Sequence, residues 1–183
     1  MAPKLIWLMG PSGSGKNGLM EAGAARVPKV VLAERIVTKK GPADGSDRLM
    51  EEETFLKLAV EGRFLFSWES HGFFYGIEKE VLNHPPDRLV VINGSREYFP
   101  KALAIRPDLV PVSVTADISL LRERLEKRGR ETAGEIEERL AAARNHNVLP
   151  GDAKILEIDN SGDPGAAGDK FVAFLSGLAE DAA

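Results

Sequence analysis

The sequence predicts a three-layer α/β/α domain built on a mostly parallel central sheet. Three observations carry that prediction: short apolar runs alternating with helical patterns, a glycine-rich loop between the first run and the first helix, and a charged helix–turn–helix late in the chain. Together they point to the P-loop NTPase architecture, with a small substrate-side insertion and a helical lid.

The strands come first in the argument. Leu5–Met9, Val30–Leu32, Phe64–Phe66, Leu89–Ile92, Leu109–Val114 and Ile155–Ile158 are short runs bounded by turn residues, and several are apolar at consecutive positions. Unbroken apolar runs suit strands covered on both faces, as in a parallel sheet. Helical spacing lies between them. Lys16–Ala25 follows the first run, and Glu51–Val60 carries Phe55, Leu58 and Ala59 on one stripe before Gly62 stops it. Ile118–Lys127 repeats Leu121 and Leu125 ahead of Gly129, Glu135–Asn145 aligns Ile136, Leu140 and Ala143, and Phe171–Leu178 closes the chain. Lys39–Asp47 and Ser161–Asp169 read as polar or glycine-rich loops, each too short for an interdomain linker. The prediction is therefore one domain over residues 1–183, with about 35–77 as a substrate-side segment and about 122–145 as a lid.

Composition removes several function classes. A net charge of −4 argues against non-specific nucleic-acid binding, which needs a basic field to displace counterions. With no cysteine, disulfides and thiolate metal sites are excluded. Leu5–Met9 is too short for a signal core or a membrane span, so a cytoplasmic protein without membrane partners is expected.

Gly10-Pro11-Ser12-Gly13-Ser14-Gly15-Lys16 matches G-x-x-x-x-G-K, directly after a strand and before a helix. Glycines let backbone amides converge on phosphate oxygens, the helix N-terminus adds partial positive charge, and the Lys16 ammonium reaches the β/γ oxygens. ATP with Mg2+ is the ligand this loop implies. The next position normally holds Ser or Thr for magnesium; here it is Asn17, a neutral carbonyl donor. Two readings stand at this point, a working loop with an unusual metal ligand and a decayed loop that binds without turnover. Arg122, Arg124, Arg128 and Arg130 crowd one stretch and Arg139 follows on the next helix. A lid bringing guanidinium groups to the transferring phosphoryl explains them, as does a surface salt-bridged to the interleaved glutamates.

At this point the residues resemble a known family. The opening Leu5-Ile-Trp-Leu-Met-Gly-Pro-Ser-Gly-Ser-Gly-Lys16 is similar to the guanylate-kinase superfamily, and more so to the ribose 1,5-bisphosphate phosphokinases of phosphonate breakdown. Ser67-Trp68 with Tyr75-Gly76, Val91-Ile-Asn93-Gly94-Ser95-Arg96, and Arg128-Gly129-Arg130-Glu131 with Arg139 carry the likeness along the chain, as far as Asn160. That family has Asp after the P-loop lysine, one atom from Asn17, which weakens the decayed-loop reading. It has Thr-Arg where this chain has Thr38-Lys39, which keeps the charge and loses the bidentate fork. Where guanylate kinases read guanine with a Tyr, Arg48 stands here, trading base recognition for anion recognition.

The resemblance implies transfer from ATP to α-D-ribose 1,5-bisphosphate, giving ADP and 5-phosphoribosyl 1-diphosphate. It implies Lys16 and magnesium on the ATP phosphates, with Arg128, Arg130 and Arg139 at the transferring group and Asn160 among the nucleotide-binding residues. Arg35, Lys39 and Arg96 are expected to hold acceptor phosphates, with Thr38 and Arg48 among the substrate-binding residues, Tyr75 to hydrogen-bond one of the phosphates, and Asn93 and Ser95 to meet acceptor hydroxyls. His71 is expected to be a solvated loop residue and Trp68 a packing residue. The rivals are a nucleoside monophosphate kinase and, in a different class, a guanylate-kinase-like module that binds phosphoproteins without catalysis.

Overall fold

The structure, a computed structural model, describes residues 2–144 and 154–181. In chain order the elements are β1 (Lys4–Met9), α1 (Lys16–Arg26), β2 (Val30–Leu32), β3 (Arg35–Val37), β4 (Asp47–Leu49), α2 (Glu52–Val60), β5 (Phe64–Ser70), β6 (Phe73–Glu78), a 3-10 turn (Lys79–Asn83), β7 (Leu89–Asn93), α3 (Phe99–Ile105), β8 (Val110–Thr115), α4 (Ile118–Arg128), α5 (Ala133–Arg144), β9 (Leu156–Asp159) and α6 (Pro164–Asp181). The lid boundary at Asn145 lies outside the described residues.

The central sheet has the order β2-β7-β1-β8-β9, with every pairing parallel. Side chains alternate across a strand, so an apolar run in a central strand feeds two cores. Ile6 and Leu8 of β1 meet Leu19 and Met20 of α1 and Phe171 and Leu175 of α6 on one face. Leu5, Trp7 and Met9 point the other way, to Phe99 and Ala102 of α3 and to Phe66, Trp68 and Ile77 of a second sheet. That second sheet has the order β4-β3-β6-β5, in which β5 and β6 form an antiparallel hairpin and β3 pairs antiparallel with β6 and parallel with β4. A third cluster, Leu121, Leu125, Ile136 and Leu140, packs α4 on α5.

Three expectations are corrected here. Phe64–Phe66 does not join the parallel sheet; it opens β5, a hairpin strand that runs on to Ser70. The Ser161–Asp169 loop is mostly helix, since α6 begins at Pro164. Asp163 Oδ1 accepts from the Gly165 amide at 2.9 Å and Pro164 opens the first turn, a start signal stronger than the glycines beside it. Lys39–Asp47 is a loop only to Ser46, because Asp47 begins β4. The strands β3, β4 and β6 and the helix α3 are additions to the sequence-based layout.

Candidate functional site

The C-terminal ends of β1 and β7, the hairpin β5–β6 and the helices α4 and α5 enclose a cavity of about 780 Å3. In an open α/β sheet the strand carboxyl ends are where ligands bind. Nine basic residues line it (Lys16, Arg35, Lys39, Lys40, Arg96, Arg124, Arg128, Arg130, Arg139) against four acidic ones (Asp44, Glu97, Glu131, Glu135). A protein of net charge −4 has therefore concentrated positive charge in one hollow.

Its floor is the loop between β1 and α1. Gly10, Gly13 and Gly15 have φ of 157°, 85° and 93°, and a Cβ on Gly10 would lie 2.3 Å from the Val114 carbonyl oxygen. Only glycine serves there. Lys16 Nζ donates to the carbonyls of Gly10 and Pro11 at 2.7 and 3.0 Å. Burial, and then the fields of Arg35, Arg96, Arg128 and Arg139, pull its pKa from 10.5 to about 7. Below the loop, Asn160 Nδ2 donates to the Ser14 carbonyl at 2.8 Å. Ser14 and Asn160 are buried and brace the loop from behind, outside the cavity lining.

One wall comes from α4 and α5. Arg139 donates to Ser12 Oγ at 2.6 Å, tying α5 to the loop. Arg128 pairs with Glu131, which also lies 3.5 Å from Arg139, so one carboxylate orients two guanidinium groups. Arg124 reaches Gly13 O at 3.1 Å and Asn160 O at 3.0 Å. The sequence grouped Arg124 with the lid arginines without giving it a site role; its i, i+4 spacing to Arg128 was the signal for a shared helix face. Arg122, by contrast, is bound to Glu137 on the outside, as the salt-bridged-surface reading holds.

The opposite wall belongs to the second sheet and the end of β7. Asp47 holds Arg35 bidentately, at 2.8 and 3.0 Å, while the Arg35 guanidinium stands 5.1 Å over the Tyr75 ring. Tyr75 stacks on Trp68, which stacks in turn on Tyr98. Burial raises the Tyr75 pKa, so its hydroxyl stays a donor. Arg96 donates to the buried Ser113 hydroxyl at 2.9 Å, and Ser95 Oγ accepts from the Tyr98 amide at 3.2 Å. Gly94 is required by crowding: a Cβ there would fall 2.1 Å from the Trp7 ring. Lys39 is held by Asp44 at 2.5 Å and lies 3.8 Å from Asp47.

Two expected acceptor residues do not reach the cavity lining. Strand alternation turns Asp47 inward and Arg48 outward, where Arg48 pairs with Glu34 and Glu78. The Thr38 hydroxyl accepts from the Phe74 amide at 2.9 Å and so ties β3 to the hairpin. Ser14 and Asn160 aside, the remaining expected residues line one cavity: Gly10, Pro11, Ser12, Gly13, Gly15, Lys16, Asn17, Arg35, Lys39, Tyr75, Asn93, Ser95, Arg96, Arg128, Arg130 and Arg139. Trp68 and His71 line it as well, His71 from the hairpin turn, where its φ is 52°.

For a hard divalent cation the chain offers neutral oxygens. Asn17 Oδ1 lies 3.3 Å from Asn93 Nδ2, and Asn93 Oδ1 is buried without a partner. Among the described residues no group of three or more His, Cys, Asp or Glu side chains forms a metal cage. That donor set fits an ion carried in on nucleotide phosphates.

A glycine-rich loop over a helix N-terminus, a buried lysine and converging arginines define the class: a P-loop kinase, an enzyme that moves a phosphoryl group from ATP to a small molecule. The fold agrees. A guanylate kinase of Anaplasma phagocytophilum superposes with a TM-score of 0.64 at 20% identity, covering 96% of this chain and 86% of that one. A gluconokinase of Sinorhizobium meliloti 1021 gives 0.54 at 20% identity, over 98% and 95%. No family model matches. Curated relatives are much nearer in sequence. A ribose 1,5-bisphosphate phosphokinase PhnN of Desulfomicrobium baculatum is 44% identical over 165 residues, 87% of each chain. Its namesake in Burkholderia mallei is 40% identical over 183 residues, 97% of this chain and 98% of that one. The chain belongs to the ribose 1,5-bisphosphate phosphokinase family. Among the described residues no helix is long and apolar enough to cross a membrane.

Proposed function

We propose that this protein transfers the γ-phosphoryl group of ATP to the 1-phosphate of α-D-ribose 1,5-bisphosphate, yielding ADP and 5-phosphoribosyl 1-diphosphate, in the cytoplasm and in phosphonate catabolism. The observation that carries the acceptor is the wall opposite the phosphate loop. Trp68 stacks on Tyr75 and on Tyr98, and Arg35 covers the Tyr75 ring. The cations of Arg35, Lys39 and Arg96 line that wall beside Phe73, Asn93 and Ser95, and this concentration of positive charge suits an acceptor with two phosphates better than a nucleobase.

The chemistry needs no general base. An acceptor phosphate oxygen is already ionised; it attacks the γ-phosphorus, the bond to the β,γ-bridging oxygen breaks, and ADP leaves with that electron pair. Catalysis is positioning and charge neutralisation. The loop amides and Lys16 hold the donor phosphates, Asn160 and Ser14 keep the loop in shape, and Arg128, Arg130 and Arg139 face the transferring group. Arg35, Lys39 and Arg96 take the acceptor phosphates, with the Tyr75 hydroxyl donating to one and Asn93 and Ser95 facing sugar hydroxyls. Magnesium bound with ATP would be held by Asn17, and would supply charge neutralisation at the β- and γ-phosphates. In this scheme the chain works as one domain, with residues 35–77 presenting the acceptor and the lid of about 122–145 the donor side.

The test is a product assay. Purified protein with ATP, magnesium and ribose 1,5-bisphosphate is expected to form 5-phosphoribosyl 1-diphosphate, and GMP or AMP in place of the sugar to release little ADP. Robust turnover on GMP alone overturns the acceptor. Lys16→Ala is expected to abolish transfer.

A further inference from the structure

We propose that Asp44 is a specificity-determining residue whose carboxylate competes with an acceptor phosphate for the same two cations. One of its carboxylate oxygens takes the Lys39 ammonium at 2.5 Å, and the other takes Arg130 from the lid, 86 residues away in sequence. The acceptor-side segment and the lid thus converge on a single small anion inside the cavity, which is what a bound phosphoryl group would make them do. Burial works to raise the Asp44 pKa, and the hydrogen bonds from Lys39 and Arg130 outweigh it, so the group is ionised at neutral pH.

Two features separate this contact from an ordinary brace. The second carboxylate pair of the cavity, Glu131 with Arg128 and Arg139, is closed off, with the Glu131 side chain only 5% exposed. Asp44 is 26% exposed and its partners Lys39 and Arg130 are 18% and 41% exposed, so these bonds are open to exchange with a ligand. Asp44 also rides on a loop that reaches the nucleotide side. A Cβ on the adjoining Gly45, whose φ is 55°, would stand 3.1 Å from the Asn17 amide carbon.

The consequence is a filter. A dianionic phosphoryl group, with three oxygens for two cations, displaces the single carboxylate; a monoanion gains nothing over Asp44 and is refused. This rests on the proposed acceptor only for which end of the cavity takes the phosphate, and it can be measured without the sugar.

The experiment fills the donor site with magnesium and a β,γ-imido ATP analogue and titrates inorganic phosphate by calorimetry at pH 8. Asp44→Asn frees both cations without changing side-chain shape, and is expected to tighten phosphate about fivefold, the scale of two half-exposed ion pairs. The gain is expected to vanish in a Lys39→Ala background. Acetate is expected to compete with phosphate in the Asn variant and not in the parent protein. Asp44→Ser is a second variant, so a folding defect specific to Asn does not decide the matter. Unchanged or weaker phosphate binding in the folded variants, or equal acetate competition in the parent, overturns the proposal. Absence of 5-phosphoribosyl 1-diphosphate from the parent's product assay would count against the sugar alone.

Discussion

Lys16 is the buried lysine of the glycine-rich loop, and its burial gives it a pH signature. A lysine whose pKa falls from 10.5 to about 7 on folding penalises the charged form. The sign follows from proton counts: between those values the unfolded chain holds more protons, so this group makes folding more favourable as pH rises from 7 toward 10.5. Below 7 its penalty is present in full. Nucleotide phosphates reverse the preference by supplying the missing counter-charge, so binding takes up a proton. ATP affinity is therefore expected to fall roughly fivefold between pH 7 and 8. Calorimetry at pH 8 in two buffers of different ionisation enthalpy should register about one proton taken up, and Lys16→Met should abolish that uptake. Asn17 gives a second expectation. A carboxylate at this position adds a charged oxygen for a hard cation, so Asn17→Asp should lower the magnesium concentration for half-maximal rate severalfold. An unchanged magnesium titration would place the metal elsewhere.

At the scale of elements, what the sequence could and could not announce follows from how far each signal reaches. The loop of Gly10–Lys16 and the strands β1, β7 and β8 were legible because their patterns are local and their two-sided burial makes most of their positions apolar. The hairpin was half legible: Phe64–Phe66 showed as a run, but β6 did not, because its turn is Ser70-His71-Gly72-Phe73 with positive φ at both central residues. Asn-Gly would have announced such a turn; His-Gly does not. The ion pairs that shape the site (Asp47 on Arg35, Asp44 on Arg130, Glu131 on Arg139) fall outside the i, i+3 and i, i+4 spacings of a helix, so no spacing rule finds them. Arg48 was misplaced for the same reason, since only the unseen pairing of β4 with β3 fixes which of Asp47 and Arg48 faces inward. The start of α6 was hidden by glycines, although Asp163-Pro164 is a cap signature. That cap should be measurable: Asp163→Ala removes an acceptor from the first turn of a helix packed on α1 and is expected to cost about 1 kcal/mol. A thermal melt shifted by less than a degree would show the cap to be idle.

For the molecule as a whole, the uneven placement of charge is the feature with functional reach. The chain carries a net charge of −4, yet a single hollow at the sheet's carboxyl edge is lined by nine basic and four acidic side chains. An acidic exterior repels polyanions such as nucleic acids, while a concave basic wall focuses the field on ligands small enough to enter. In the proposed function this charge distribution selects small phosphorylated molecules by size and charge before any specific hydrogen bond forms. Such steering works through solvent and is screened over about 8 Å at physiological ionic strength. The acceptor KM is accordingly expected to rise several-fold between about 50 and 300 mM potassium chloride, with kcat little changed, because salt weakens capture rather than the short-range bonds made in the cavity. Steady-state kinetics across that range check it, with a stability measurement at each salt concentration to exclude unfolding. A KM flat across the series would mean that the cavity's cations are neutralised by their own carboxylates before the ligand arrives, and that capture depends on short-range contacts alone.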